Sequence, residues 1–145
     1  MLIGVVVFAA SSVLAAFAAD GGMLILARLA QGVGGAMILP TTLSIINATF
    51  RGRERGIAFA VWGSTIGGMA AVGPLLGGWL TTAFSWRWAF GINIPLGIVI
   101  IIGVLLTVAE SRSDRTSKID VVGAILAVIT MASLVFGLIE GRTYG

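Results

Sequence analysis

The sequence predicts an all-α integral membrane protein with five transmembrane helices. Of its 145 residues 58% are hydrophobic and only 10% are charged, against about 25% charged in an ordinary soluble domain. Mean hydropathy is +1.09, and the charged residues cluster so that long stretches carry none. The apolar stretches show no period-two alternation, so they read as helices and not as barrel strands.

A run of about 20 apolar residues crosses a hydrocarbon core roughly 30 Å thick. Five such runs are present, at about 2–19, 23–46, 57–82, 89–109 and 121–139. The separators are Asp20-Gly21-Gly22, RGRERG at 51–56, SWRW at 85–88 and ESRSDRTSKID at 110–120. The first run, MLIGVVVFAASSVLAAFAAD, has the length of a signal peptide and ends in Ala-Phe-Ala at 16–18. It has no Lys or Arg ahead of the apolar stretch, which a signal peptide needs, and so reads as a span.

Orientation follows from the basic residues. Arg51, Arg53 and Arg55 lie in one loop, and Arg112, Arg115 and Lys118 in another on the same side. The opposite side has Arg87 and Arg142. This places both charged loops and the N-terminus in the cytoplasm and the C-terminus outside, in a multi-pass protein of the cell membrane. Trp86 and Trp88 flank Arg87 at the outer end of two spans and read as interfacial anchors.

Several function classes are excluded. The sequence has no cysteine and no histidine, which removes thiolate nucleophiles, disulfides and the commonest metal ligand and general base. The spans hold no paired acids, so an enzyme is not expected and no catalytic or metal-binding residue is assigned. A net charge of +3 does not signify nucleic acid, because the arginines occupy short loops and not one exposed face.

One basic residue departs from this pattern. In LARLAQGVGGAMILP, residues 26–40, Arg28 lies about 9 Å inside the second span at 1.5 Å per residue. An arginine at a helix centre costs about 2.5–3.5 kcal/mol on insertion scales, although at this depth its head can snorkel to the interface. Arg28, Gln31, Gly32 and Gly35 share one helical face. A partner glutamine and two glycines suit an interior or water-lined face that another helix approaches closely.

The third span, VWGSTIGGMAAVGPLLGGWL, repeats small residues at four-residue spacing: Gly63 with Gly67, and Gly73 with Gly77, with Ala70, Pro74 and Gly78 beside them. Pro74 cannot donate to the carbonyl of Ala70, so a kink or a loosened turn is expected. Plain helix packing accounts for such spacing equally well. In FGINIPLG an interhelical hydrogen bond from Asn93 and a modest bend at Pro95 are expected, and neither residue is assigned a substrate role.

At these residues the sequence resembles the major facilitator superfamily. Arg28-x-x-Gln31-Gly32-x-Gly34-Gly35-Ala36 is similar to the family's fourth-helix motif, whose arginine is implicated in proton coupling. Gly73-Pro74-Leu75-Leu76-Gly77-Gly78 resembles the fifth-helix signature associated with antiporters. SWRWAFGINIPLG, residues 85–97, resembles the start of the sixth helix in the fourteen-span drug:proton antiporter branch. One departure is Met69, where the antiporter signature usually has glycine.

The resemblance implies a major-facilitator-type helical bundle in which these spans are helices three to seven. It also implies that residues 1–145 are part of a longer transporter, with a Gly-Asp-Arg-type loop upstream and a second half downstream. The implied activity is multidrug efflux by drug:proton antiport, driven by the proton gradient without a bound cofactor. The partners would be the lipid bilayer, a small hydrophobic or cationic drug-like substrate and the remaining transporter helices, with no nucleic acid. Arg28 and Gln31, with Gly32 and Gly35, would lie on the coupling or substrate path; Gly73, Pro74, Gly77 and Gly78 would form the kinked packing face at the outer gate. A major facilitator carrier of another solute and a non-transporting membrane scaffold are the alternatives.

Overall fold

The structure, a computed structural model, describes residues 1–108 and 120–144, with side chains in the last helix described as far as residue 141. The predicted loop cations Arg112, Arg115 and Lys118 and the Arg142 side chain lie outside the described residues. Among the described residues there is no strand. The helices are α1 (Leu2–Ala16), α2 (Gly21–Thr49), α3 (Gly52–Ala83), α4 (Trp86–Gly91), α5 (Asn93–Thr107) and α6 (Val121–Tyr144). Two compact units result, Met1–Ala109 and Glu110–Gly145, the second containing α6.

Among the described residues four stretches are long and apolar enough to cross a membrane: Gly21–Thr49, Gly52–Ala83, Trp86–Thr107 and Val121–Gly141. The chain is therefore a multi-pass membrane protein. α1 is shorter, at 15 residues. The helices α2 and α3 run beyond the predicted apolar cores into the polar separators, since hydropathy marks the lipid-buried part of a helix and caps mark its ends. α2 begins where the Asp20 carboxylate accepts the Met23 N–H at 2.7 Å, an N-cap that satisfies one of the otherwise orphaned first-turn donors. Gly52, with φ +51°, supplies the left-handed residue in the tight passage from α2 to α3.

The fourth predicted span is two helices that meet at Ile92. Pro95 has no N–H for the carbonyl of Gly91 and its ring crowds that oxygen, so regular helical bonding is interrupted one residue later while Ile92 keeps helical torsions, φ −63° and ψ −25°. The bend expected at Pro95 is thus expressed just before it. By contrast α2 and α3 continue through Pro40 and Pro74. Beside Pro40 the hydroxyls of Thr41 and Thr42 bond back to the carbonyls of Met37 and Ile38 at 2.8–2.9 Å, as hydroxyls in membrane helices commonly do.

α1 is the centre of the first unit and packs against α2, α4 and α5. Two glycine contacts set its approach. Gly34 of α2 is buried against the backbone of Gly4 and Phe8, and Gly97 of α5 is buried against Ala9, where an added Cβ would fall 2.9 Å from the Ala9 Cβ. In membranes such small residues let backbones close to van der Waals distance, which is where helix association gains its energy. α3 has no buried residue; its large side chains, among them Leu75 and Trp79, are exposed.

Candidate functional site

Two buried polar side chains of the first unit, Ser12 and Gln31, meet between α1, α2 and α5. Ser12 and Gln31 are exposed by only 0% and 3%, so each must find partners within the protein. The Gln31 Nε2 donates to the Ser12 Oγ at 2.7 Å, and Arg28 Nη1 donates to the Gln31 Oε1 at 2.6 Å. Ser12 donates in turn to the Phe8 carbonyl at 2.8 Å, and the Asn93 Nδ2 reaches the Ser12 oxygen at 3.4 Å. Among the described residues no buried side-chain nitrogen or oxygen lacks a partner.

Arg28 stands at the open end of this chain of bonds. Its residue is exposed, and the guanidinium carbon lies 5.5 Å from the centre of the Phe90 ring, a distance at which the ring face attracts a cation. The helical spacing of three residues gives Arg28 and Gln31 their common face, and Gln31 accepts from the cation directly. The guanidinium offers five N–H donors and spends one on Gln31. The carboxylates within residues 1–108 are Asp20, which caps α2, and Glu54, in the first turn of α3.

The glycines predicted to share this face are placed differently from one another. A Cβ on Gly32 would meet nothing within 4 Å, and one on Gly35 would touch the Phe8 ring at an ordinary 3.9 Å. The close approach falls at Gly34, whose added Cβ would lie 2.7 Å from the Phe8 nitrogen. Among the described residues of the first unit nothing lies within 4 Å of a Cβ added at Gly73, Gly77 or Gly78. The structure therefore joins Arg28 and Gln31, and does not bring the Gly73–Gly78 stretch to them.

Ser12 was not among the sequence-derived site residues. Its only sequence signal is the Ser11-Ser12 pair in an otherwise apolar helix, and a hydroxyl there is equally satisfied by its own backbone, as Ser11 is by Val7 and Phe8 at 2.7 and 3.0 Å. Asn93 does form an interhelical hydrogen bond, and Ser12 is its partner.

A second polar contact lies just past the C-terminal end of α1. Arg87 Nη2 donates to the Ala18 carbonyl at 3.1 Å, and its guanidinium carbon sits 4.8 Å from the Trp86 ring centre. Trp86 also meets Phe90 edge-on at 6.2 Å, and Phe84 bridges Trp79 and Trp88. The SWRW segment is thus an aromatic corner, and its cation ties α4 to the α1–α2 turn.

Comparison with known proteins points in one direction. The family model for the Major Facilitator Superfamily matches residues 1–139. The chain is 38% identical to the "Probable actinorhodin transporter" of Streptomyces coelicolor, over 99% of this chain and 26% of that protein. It is 37% identical to the puromycin resistance protein pur8 of Streptomyces alboniger, over 97% and 28%, and 36% identical to multidrug resistance protein 3 of Bacillus subtilis, over 99% and 28%. The chain spans about a quarter of the length of these relatives.

Proposed function

Since the chain belongs to the Major Facilitator Superfamily, a family of transporters and not of enzymes, we propose that it forms part of a secondary active exporter that exchanges protons for small hydrophobic or cationic drug-like compounds. The observation that carries this reading is the state of Arg28. Within a helix long and apolar enough to cross a membrane, its cation donates to Gln31 while the residue itself stays exposed. A nearby cation lowers the pKa of a carboxyl group, so an acid brought beside Arg28 would be ionised until transport moves the two apart, and would then take up a proton. The acid and the second wall of the substrate cavity come from sequence outside residues 1–145. The exported compounds are proposed from relatives whose names specify antibiotic or multidrug resistance.

In this reading α1 to α6 correspond to helices three to seven of a fourteen-span exporter, with α4 and α5 forming one span. The 51–56 loop and the N-terminus face the cytoplasm, and the end of α6 faces outward. Gly73, Pro74, Gly77 and Gly78 form a packing surface for helices beyond this segment, near the outer gate.

The test uses the complete reading frame that carries this segment, expressed in a host stripped of its own efflux pumps. Everted vesicles should accumulate a cationic dye when a proton gradient is imposed, and Arg28→Ala should abolish that accumulation while the protein still inserts. Undiminished accumulation in Arg28→Ala would remove the coupling role.

A further inference from the structure

The proposed coupling role uses Arg28 and gives no part to the most deeply buried polar side chain of the unit, Ser12. A serine hydroxyl has one proton and two lone pairs, and here all three are engaged. The proton goes to the Phe8 carbonyl, and the oxygen accepts from Gln31 and from Asn93. Arg28 at the other end can only donate. Gln31, lying between a pure donor and a hydroxyl whose proton is spent, has one polarity open to it: Oε1 toward Arg28 and Nε2 toward Ser12.

We propose that Ser12 is the positioning residue of the Arg28 site. By accepting the Gln31 amide it keeps Oε1 turned to the guanidinium, and by accepting Asn93 it references that geometry to α5. Without the hydroxyl, the Gln31 Nε2 is buried with no acceptor at that point. An unsatisfied buried amide is costly enough that the side chain turns to find another partner. Arg28 then keeps the Phe90 ring beside it but loses the oxygen that aims it. The charged groups on the elements around this network are Arg28 itself, Arg87 on α4, which is engaged by Ala18 and Trp86, and Arg53, Glu54 and Arg55 in the first turn of α3. α1 and α5 have none.

The inference rests on the coupling reading, so its test includes a control for that reading. Proton-driven export is measured against pH in vesicles containing the complete transporter, as wild type, Arg28→Ala, Ser12→Ala and Ser12→Cys. A cation that is no longer aimed lowers the neighbouring carboxyl pKa less, so the half-maximal pH of export should move upward in Ser12→Ala, by about 0.5–1 unit. Ser12→Cys, close in volume but a weak donor and acceptor, should fall between Ser12→Ala and wild type. A purely structural serine would reduce the amount of inserted protein and leave the midpoint of the remainder at the wild-type value. That outcome, with Arg28→Ala inactive, overturns the role of Ser12. Normal export by Arg28→Ala overturns the coupling reading itself. If Ser12→Ala fails to insert, the midpoint of Ser12→Cys decides in the same way.

Discussion

Gly4 and Gly34 face each other across the α1–α2 crossing. A Cβ on Gly34 would come within 2.9 Å of the Gly4 carbonyl oxygen, and one on Gly4 within 3.0 Å of the Gly34 carbonyl oxygen. The atoms met from Gly34 are all backbone, so no side chain can swing aside, and a larger residue there must push the two helices apart. The separation of α1 from α2 also sets the 2.7 Å reach from Gln31 to Ser12, which makes the crossing a support for the polar network.

Gly34→Ala should therefore destabilise the protein by about 1–3 kcal/mol, the usual range for overpacking a tight contact, and should weaken export as well. Gly32→Ala, which meets nothing within 4 Å, should cost less. Thermal unfolding in detergent of the two variants side by side checks the order; equal losses would show that Gly34 is not the contact that matters.

Gly73→Leu should behave in the opposite manner. Among the described residues of the first unit nothing lies within 4 Å of a Cβ added at Gly73, so insertion and helix content should be unchanged. If helices beyond the segment pack there, export should fall at least tenfold. Full export by Gly73→Leu would show that α3 faces lipid at this point.

Arg87→Ala removes both the bond to Ala18 and the contact with Trp86. A charge-assisted bond at a partly wet site supports a loss of about 1–2 kcal/mol, seen as a lower unfolding temperature with the pH dependence of export unchanged. Arg87→Lys should recover only part of it, because a compact ammonium lacks the planar fork that reaches a carbonyl while stacking on a ring.

The orientation can be checked without background labelling from this segment, since it has no cysteine. Arg53→Cys should react with a membrane-impermeant maleimide only in inside-out vesicles, and Ser85→Cys only in intact cells. The reverse pattern would invert the assigned sidedness.

The membrane character and most helix positions were legible because each depends on one segment at a time. Long runs with few charges and no period-two alternation read as helices in lipid, where every backbone group must be satisfied internally. The shared face of Arg28 and Gln31 was equally local, following from their spacing of three residues. The break at Ile92 was partly legible: Pro95 announces a fault in the helix, but the residue at which bonding lapses depends on how Gly91 and Ile92 settle around the proline.

The rest was decided by which helices meet. Helical periodicity places Gly32, Gly34 and Gly35 around the axis of α2, yet only the position of α1 selects Gly34 as the close contact. Ser12 and Asn93 are 81 positions apart in sequence, and neither has a local feature that marks the other. Their link exists because α1 lies against both α2 and α5, so that the amides of Gln31 and Asn93 arrive at one hydroxyl. The sequence alone determined that there would be a membrane helix with a cation in it. The tertiary structure determined what holds that cation, because in a low-dielectric interior a buried polar group is defined by partners that only packing can supply.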